Sequence, residues 1–199
     1  MKGKQVICRI TGMGRLPLRG RKRQRGTTMV EFAFYLLCAV VAVYFAITLG
    51  KSLYEKVRAY QMQGELQAFH AGILNATQSD SNFASVTLAE LVDNGAFASA
   101  GKRASVTTDA VTGIFGGLLT VAPDAVNEAG DAVTITYPSV PNEVCALAIQ
   151  ALTESFQRIA VNGTTVYEVN SPYSGAASGK ACQGGANKNS IAFTMSRLG

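Results

Sequence analysis

The chain has 199 residues, a formal net charge of +5, four cysteines, one histidine and no tryptophan. A basic chain invites a nucleic-acid reading, but nine of the 18 basic residues lie in residues 1–26, which hold no acidic one, so residues 27–199 carry −4 and offer no such footprint. One histidine with no nucleophile beside it cannot supply a catalytic dyad, which argues against histidine-based nucleophilic catalysis.

The basic segment ends in a dense block from Arg19 to Arg25, followed by Gly26-Thr27-Thr28-Met29-Val30-Glu31-Phe32. From Phe32 to Gly50 there is no charged side chain. As a helix that run is roughly 29 Å long, about one bilayer core. The basic block holds its end of the span in the cytoplasm. Glu31 stands at the edge of the run, where a lone carboxylate entering lipid costs about 2.5–3.5 kcal/mol and calls for a partner or a purpose. A secretory signal would be shorter and would carry a small-residue cleavage site after the apolar stretch. Here Lys51-Ser52-Leu53-Tyr54-Glu55-Lys56 follows instead. An uncleaved membrane anchor explains the charge and the length equally well. The glycine–glutamate spacing is what separates the alternatives, and it resembles the processing site of type IV prepilins. That resemblance implies a membrane peptidase that cuts between Gly26 and Thr27. Residues 1–26 would then be a cleaved basic leader and Glu31 the fifth residue of the mature chain.

Apolar or small residues continue at Leu53, Val57, Tyr60, Gly64, Ala68 and Ala71, with a second stripe through Tyr54, Met62, Leu66, Phe69 and Ile73. Spacings of three and four predict one helix from about Thr28 to about Thr77. Its residues 27–53 form a transmembrane half and residues 54–80 an amphipathic half. Residues 81–199 form a globular head, large enough for one modest core. Thr87-Leu88-Ala89-Glu90 predicts a capping box opening a short helix that Asn94-Gly95 ends. Residues 101–117 read as loop with an uncertain strand. Leu118–Ala122 and Ala132–Tyr137 read as short strands, with Pro123-Asp124 lying between them. Pro141 suits the first turn of a helix running to about Gln157. Ile159–Val161 and Thr164–Val169 flank Asn162-Gly163, the favoured pair for a type I′ hairpin turn. Residues 170–190 read as loop and Ile191–Met195 as a last strand. The class is α+β.

Cys8 lies in the leader and Cys38 in the apolar run, which leaves Cys145 and Cys182 in the head. The positive-inside rule puts the head outside the cytoplasm, where disulfides form. A bridge would close a loop of roughly 38 residues, worth about 4 kcal/mol in the chain-entropy model. Zinc is the rival reading, but there is no C-x-x-C, and the histidine, His70, sits in the long helix. Gly12-Met13-Gly14 and Gly113–Gly117 lack the strand–helix context of a phosphate loop, so the expectation is no enzyme, metal or cofactor. Asn75-Ala76-Thr77 and Asn162-Gly163-Thr164 match the glycosylation pattern but fall at a helix end and a hairpin turn.

The stretch Ser139-Val140-Pro141-Asn142-Glu143-Val144-Cys145, then Phe156-Gln157-Arg158-Ile159-Ala160-Val161-Asn162-Gly163-Thr164, then Cys182 and a final apolar strand is similar to type IVb pilins. Toxin-coregulated pilins and the major pilins of conjugative-plasmid thin pili are the nearest. The resemblance covers the leader, the helix and residues 133–195. It implies a long N-terminal helix packed on an antiparallel sheet, with a disulfide-bounded C-terminal region. It further implies the structural subunit, the major pilin, of a type IVb pilus. Such a subunit is made as an inner-membrane prepilin and ends in an extracellular filament. Its partners would be other copies of itself, the prepilin peptidase, the inner-membrane assembly machinery and minor pilins, with no nucleic acid in the mature form. Within the filament, Glu31 would meet the α-amine of a neighbour's Thr27, an amine often methylated in the family. Two departures stand out: Thr27 replaces the larger apolar residue that often starts such chains, and the apolar helix has Thr48 and Gly50 in place of a proline kink. Arg25-Gly26 with Val30-Glu31-Phe32-Ala33 also fits minor pilins or pseudopilins of tight-adherence secretion systems. A membrane-anchored adhesin that never polymerises is the remaining alternative.

Overall fold

The computed structural model describes residues 29–197, which divide into two compact units, residues 29–45 and 46–197. The first unit is entirely helical and every residue in it is exposed. Phe34 and Tyr35, and again Tyr44 and Phe45, meet edge to face. Cys38 carries a free thiol. A helix satisfies its own backbone hydrogen bonds, so apolar side chains all round it fit a hydrocarbon solvent. The helix to which it belongs, α1, runs Met29–Ala76, is long and apolar enough to cross a membrane, and closely matches the predicted Thr28–Thr77.

In the second unit α1 acquires a buried face. Ala59, Met62, Glu65, Leu66, Phe69 and Ile73 are buried, a period of three and four that sets one stripe against the core. Gly72 lies on the line of closest approach. A Cβ there would stand 2.0 Å from the carbonyl oxygen of Ala96, so only glycine lets the two backbones pass.

After α1 comes α2 (Leu88–Asp93), whose cap is as predicted: the Thr87 hydroxyl accepts from the amide of Glu90, and Gly95 follows at φ 73°. Residues 98–103 form a 3₁₀ turn broken at Gly101, followed by a two-stranded ribbon of β1 (Ala104–Ser105) and β2 (Ala110–Val111). The stretch expected as loop with an uncertain strand thus holds a short ribbon and a 3₁₀ turn.

Five further strands form one antiparallel sheet: β3 (Thr120–Ala125), β4 (Ala129–Val140), β5 (Arg158–Val161), β6 (Thr164–Glu168) and β7 (Asn189–Ser196). Its order is β3-β4-β7-β5-β6. The expected break at Pro123-Asp124 does not occur. Pro123 pairs with Val133 inside β3, tolerated because β3 is an edge strand whose other side needs no donor. Between β4 and β5 lies α3 (Asn142–Leu152), shorter than predicted. It stops because Phe156 turns into the core and the Gln157 amide donates to Thr194, joining the sheet. The 170–190 stretch is not all loop: α4 occupies Gly175–Gln183, opened by the Ser174 hydroxyl accepting from Ala177.

Alternation gives the sheet an apolar inner face, with Val133, Ile135 and Tyr137 on β4, Ile191, Phe193 and Met195 on β7, and Ile159 and Val161 on β5. These pack with the α1 stripe and with Val144, Ala148, Ile149 and Leu152 of α3 into one core. Thus a long apolar helix packs on an antiparallel sheet. Phe69 meets Phe97 at 4.9 Å and Phe156 meets Phe193 at 5.1 Å, edge-on or tilted as ring quadrupoles prefer.

Candidate assembly and processing site

Of the residues expected to matter for processing and assembly, Gly26 and Thr27 lie outside the described residues. Glu31 stands exposed in the first turn of α1. A carboxylate suits the positive end of a helix. Among the described residues Glu31 enters no ion pair.

Cys145 on α3 and Cys182 on α4 are brought together and bonded, with Cα atoms 5.9 Å apart and both residues buried. The bridge ties α4 to α3, and a set of amides completes the same corner. Asn162 donates to Asn189 at 2.8 Å and to the Ala181 carbonyl at 3.2 Å, and Asn189 donates to Asn142 at 2.8 Å. The side-chain nitrogen of Asn162 is therefore committed to structure, in keeping with its reading as a turn residue and not a glycan acceptor.

Several functional contacts were invisible to sequence patterns. Glu65, on the buried stripe of α1, lies 2.5 Å from the Arg103 guanidinium and accepts from the Tyr137 hydroxyl at 2.7 Å. That hydroxyl accepts from the Ile114 amide at 2.6 Å, and Arg103 donates to the Thr112 carbonyl at 2.8 Å. Together these fasten residues 103–114 to α1 and β4 through the Arg103–Glu65 ion pair, the buried Tyr137–Glu65 bond and the part-buried Ile114–Tyr137 bond. Burial, and then the neighbouring Glu65 carboxylate, push the Tyr137 hydroxyl well above the usual phenol range. The one hint in the sequence is a carboxylate at position 65 between the apolar positions 62 and 69.

Arg58 lies over the rings of Tyr54 and Phe115, at 5.3 and 5.8 Å, and donates to the Ile114 carbonyl, holding the glycine-rich loop 113–117 on α1. Gly113 is obligatory there, since a Cβ would stand 2.6 Å from the Tyr137 ring. Arg197, at the end of β7, donates to the carbonyls of Thr77 and Asp80 just past α1 and stacks on Phe83 at 4.7 Å. On the outer sheet face, Asp124 accepts from Thr134 at 2.5 Å, from Arg158 at 2.6 Å and from Thr194 at 3.2 Å. Burial alone would raise the Asp124 carboxyl, but the bonds from Thr134 and Arg158 outweigh it and hold it at about 2. His70 is half-buried 5.5 Å from Phe156, and burial lowers its imidazole below the usual value. Among the described residues no group of His, Cys, Asp and Glu could hold a metal ion.

Comparisons with known proteins agree with this architecture. No curated protein sequence matches the chain. The type IVb pilin from Salmonella typhi superposes with a TM-score of 0.54 at 17% identity, covering 68% of this chain and 98% of that one. TcpA, a type IV pilin from the El Tor biotype of Vibrio cholerae, superposes with a TM-score of 0.52 at 12% identity, covering 70% and 99%. At such identities the likeness is one of fold. The family model described as PilS N terminal matches residues 56–196. Matched over most of its length by that model, the chain belongs to the PilS N-terminal family and has the fold of a type IV pilin.

Proposed function

We propose that this chain is the major structural subunit of a type IVb pilus. It is made as an inner-membrane precursor, cleaved between Gly26 and Thr27, and polymerised through its N-terminal helix into an extracellular filament. The observation that carries the reading is α1 itself. Apart from Glu31 its residues 29–45 are uncharged, and all are exposed, while from Ala59 the same helix is the spine of a folded head. An exposed apolar helix needs a covering, lipid before assembly and copies of itself afterwards. Glu31 is then removed from water and neutralised by the Thr27 amine of a neighbour, which sets axial register because an unpaired buried carboxylate is expensive. The prepilin peptidase, the assembly machinery and minor pilins are the partners this sequence of events requires.

The experiment is mass analysis of the N-terminus of protein sheared from the cell surface. A mature chain beginning at Thr27 is expected from the wild type. A Gly26→Val chain is expected to stay in the membrane as the uncut, basic precursor, because a side chain at the cut obstructs a peptidase that fits the backbone closely. Normal maturation of Gly26→Val, or sheared filaments whose chain begins at Met1, would refute the reading.

A further inference from the structure

Two clefts flank α1 within residues 46–197. The first, about 420 Å³, lies between α1 and α3 and is lined by Lys56, Ala59, Tyr60, Gln63, Leu147 and Gln150. The second, about 410 Å³, lies between α1, the loop of Ile114 and Phe115, and the start of α3 at Glu143. At 3.6 residues per turn, the α1 positions facing the two clefts stand roughly 140° apart around the helix. They are two different surfaces.

Their exposed, unpaired charges are opposite in sign. Lys56 is the charged residue of the first cleft, exposed, and among the described residues it enters no ion pair. The second cleft has four charged residues. Lys51 and Glu55 lie 4.0 Å apart as an i,i+4 pair, and Arg58 keeps its charge but is half-buried, its guanidinium laid against Tyr54, Phe115 and the Ile114 carbonyl. That leaves Glu143, exposed and in no ion pair among the described residues. Each cleft thus presents, among the described residues, one exposed charge in no ion pair, and the two are of opposite sign. The surroundings are apolar and uncovered: Tyr60 is 70% exposed and Leu147 40%.

We propose that these clefts are the two halves of one contact between copies of this chain, the Lys56 cleft of one copy receiving the Glu143 rim of the next, with Lys56 paired to Glu143. This deepens the filament reading and rests on it. A contact between two different faces is heterologous, and repeated without closing it builds an open helix and not a dimer. Opposite charges set into an apolar surround fix partner and register more than they add affinity.

Charge reversal in cells making the full chain tests it. Lys56→Glu and Glu143→Lys should each lower sheared-filament yield by about tenfold or more, since like charges then face each other across the contact. The double reversal should return the yield to within about twofold of wild type. Both residues are exposed, so all three variants should retain the Cys145–Cys182 bond and membrane insertion. As a second measure, a Lys56→Cys chain co-expressed with a Glu143→Cys chain should give an oxidised dimer that neither gives alone. Wild-type yield from both single reversals would overturn the inference while leaving the filament reading intact. A double reversal as poor as the singles, with no cross-linked dimer, would do the same. Absence of filaments from the wild-type chain would overturn both.

Discussion

Replacing Tyr137 by phenylalanine removes one oxygen from a largely buried polar network in the head. That oxygen donates to Glu65 at 2.7 Å and accepts from the Ile114 amide at 2.6 Å, and Tyr137 is fully buried. A hydrogen bond to a charged group is worth about 1.5–3 kcal/mol, and an orphaned buried donor costs about 1–3 kcal/mol. Since the Arg103–Glu65 ion pair remains and the Ile114 amide is only part-buried, the lower part of the summed range applies, and Tyr137→Phe should destabilise the head by about 3 kcal/mol. Against a total stability of about 5–15 kcal/mol that is a large fraction. Pulse proteolysis of the full-length chain in detergent across a urea series reads the difference without relying on helix signal from residues 29–45. The titration supplies an independent signature. The Tyr137 hydroxyl is raised in the folded state above its ordinary value near 10, so its contribution is complete below pH 10 and is lost as pH rises beyond it. The wild-type head should therefore lose up to about 1.4 kcal/mol per pH unit above pH 10 that Tyr137→Phe does not lose. A stability loss below about 1 kcal/mol, together with parallel alkaline slopes, would refute the claim that this network fastens residues 103–114 to α1.

Other perturbations separate assembly from folding. Cys145→Ser or Cys182→Ser frees the 37-position separation now bridged and should lower head stability by about 4 kcal/mol, read by the same proteolysis. Glu31→Ala should give a membrane-inserted, processed, disulfide-bonded subunit that enters few filaments, with Glu31→Asp intermediate; shearing and quantifying the subunit decides it, and wild-type yield from the alanine chain would end the register mechanism. Asp124, held at about 2 against an ordinary 3.8, contributes stability above pH 4 that disappears as pH falls toward 2. Because its side chain is 30% exposed, the contribution is only about 1 kcal/mol, and Asp124→Asn should flatten the acid limb of the stability curve by that amount.

The features legible in the sequence were those written in local chemistry. The spacing of Met62, Leu66, Phe69 and Ile73 marked the buried face of α1, Thr87 marked a helix start, and Asn162-Gly163 marked a hairpin whose first residue does adopt φ 51°. The Cys145–Cys182 pairing followed from the compartment. What escaped depended on partners far along the chain. Glu65 is stabilised by Tyr137, 72 positions away, so its place in an apolar stripe had no local explanation. The helix α4 contains Gly175 and Gly179, which weaken it, and it persists because a serine cap and the disulfide hold it against α3. Composition said loop, and tertiary constraint said otherwise. For the expected site, Glu31 was readable as an oddly placed carboxylate, whereas the clefts beside Lys56 and Glu143 exist only once α3 lies beside α1.

The strand order has a consequence for how the chain comes into being. β7, last of the described strands to be synthesised, is inserted between β4 and β5 and supplies ladder partners to both. Until residues 189–196 arrive, β3-β4 and β5-β6 are two separate ribbons, each with an open edge and half of an apolar face uncovered. The clasp onto Thr77 and Asp80 is likewise made by Arg197, the last of the described residues. Closure of the sheet thus waits on β7: a chain stopped before Asn189 would present two open edges in place of a finished sheet.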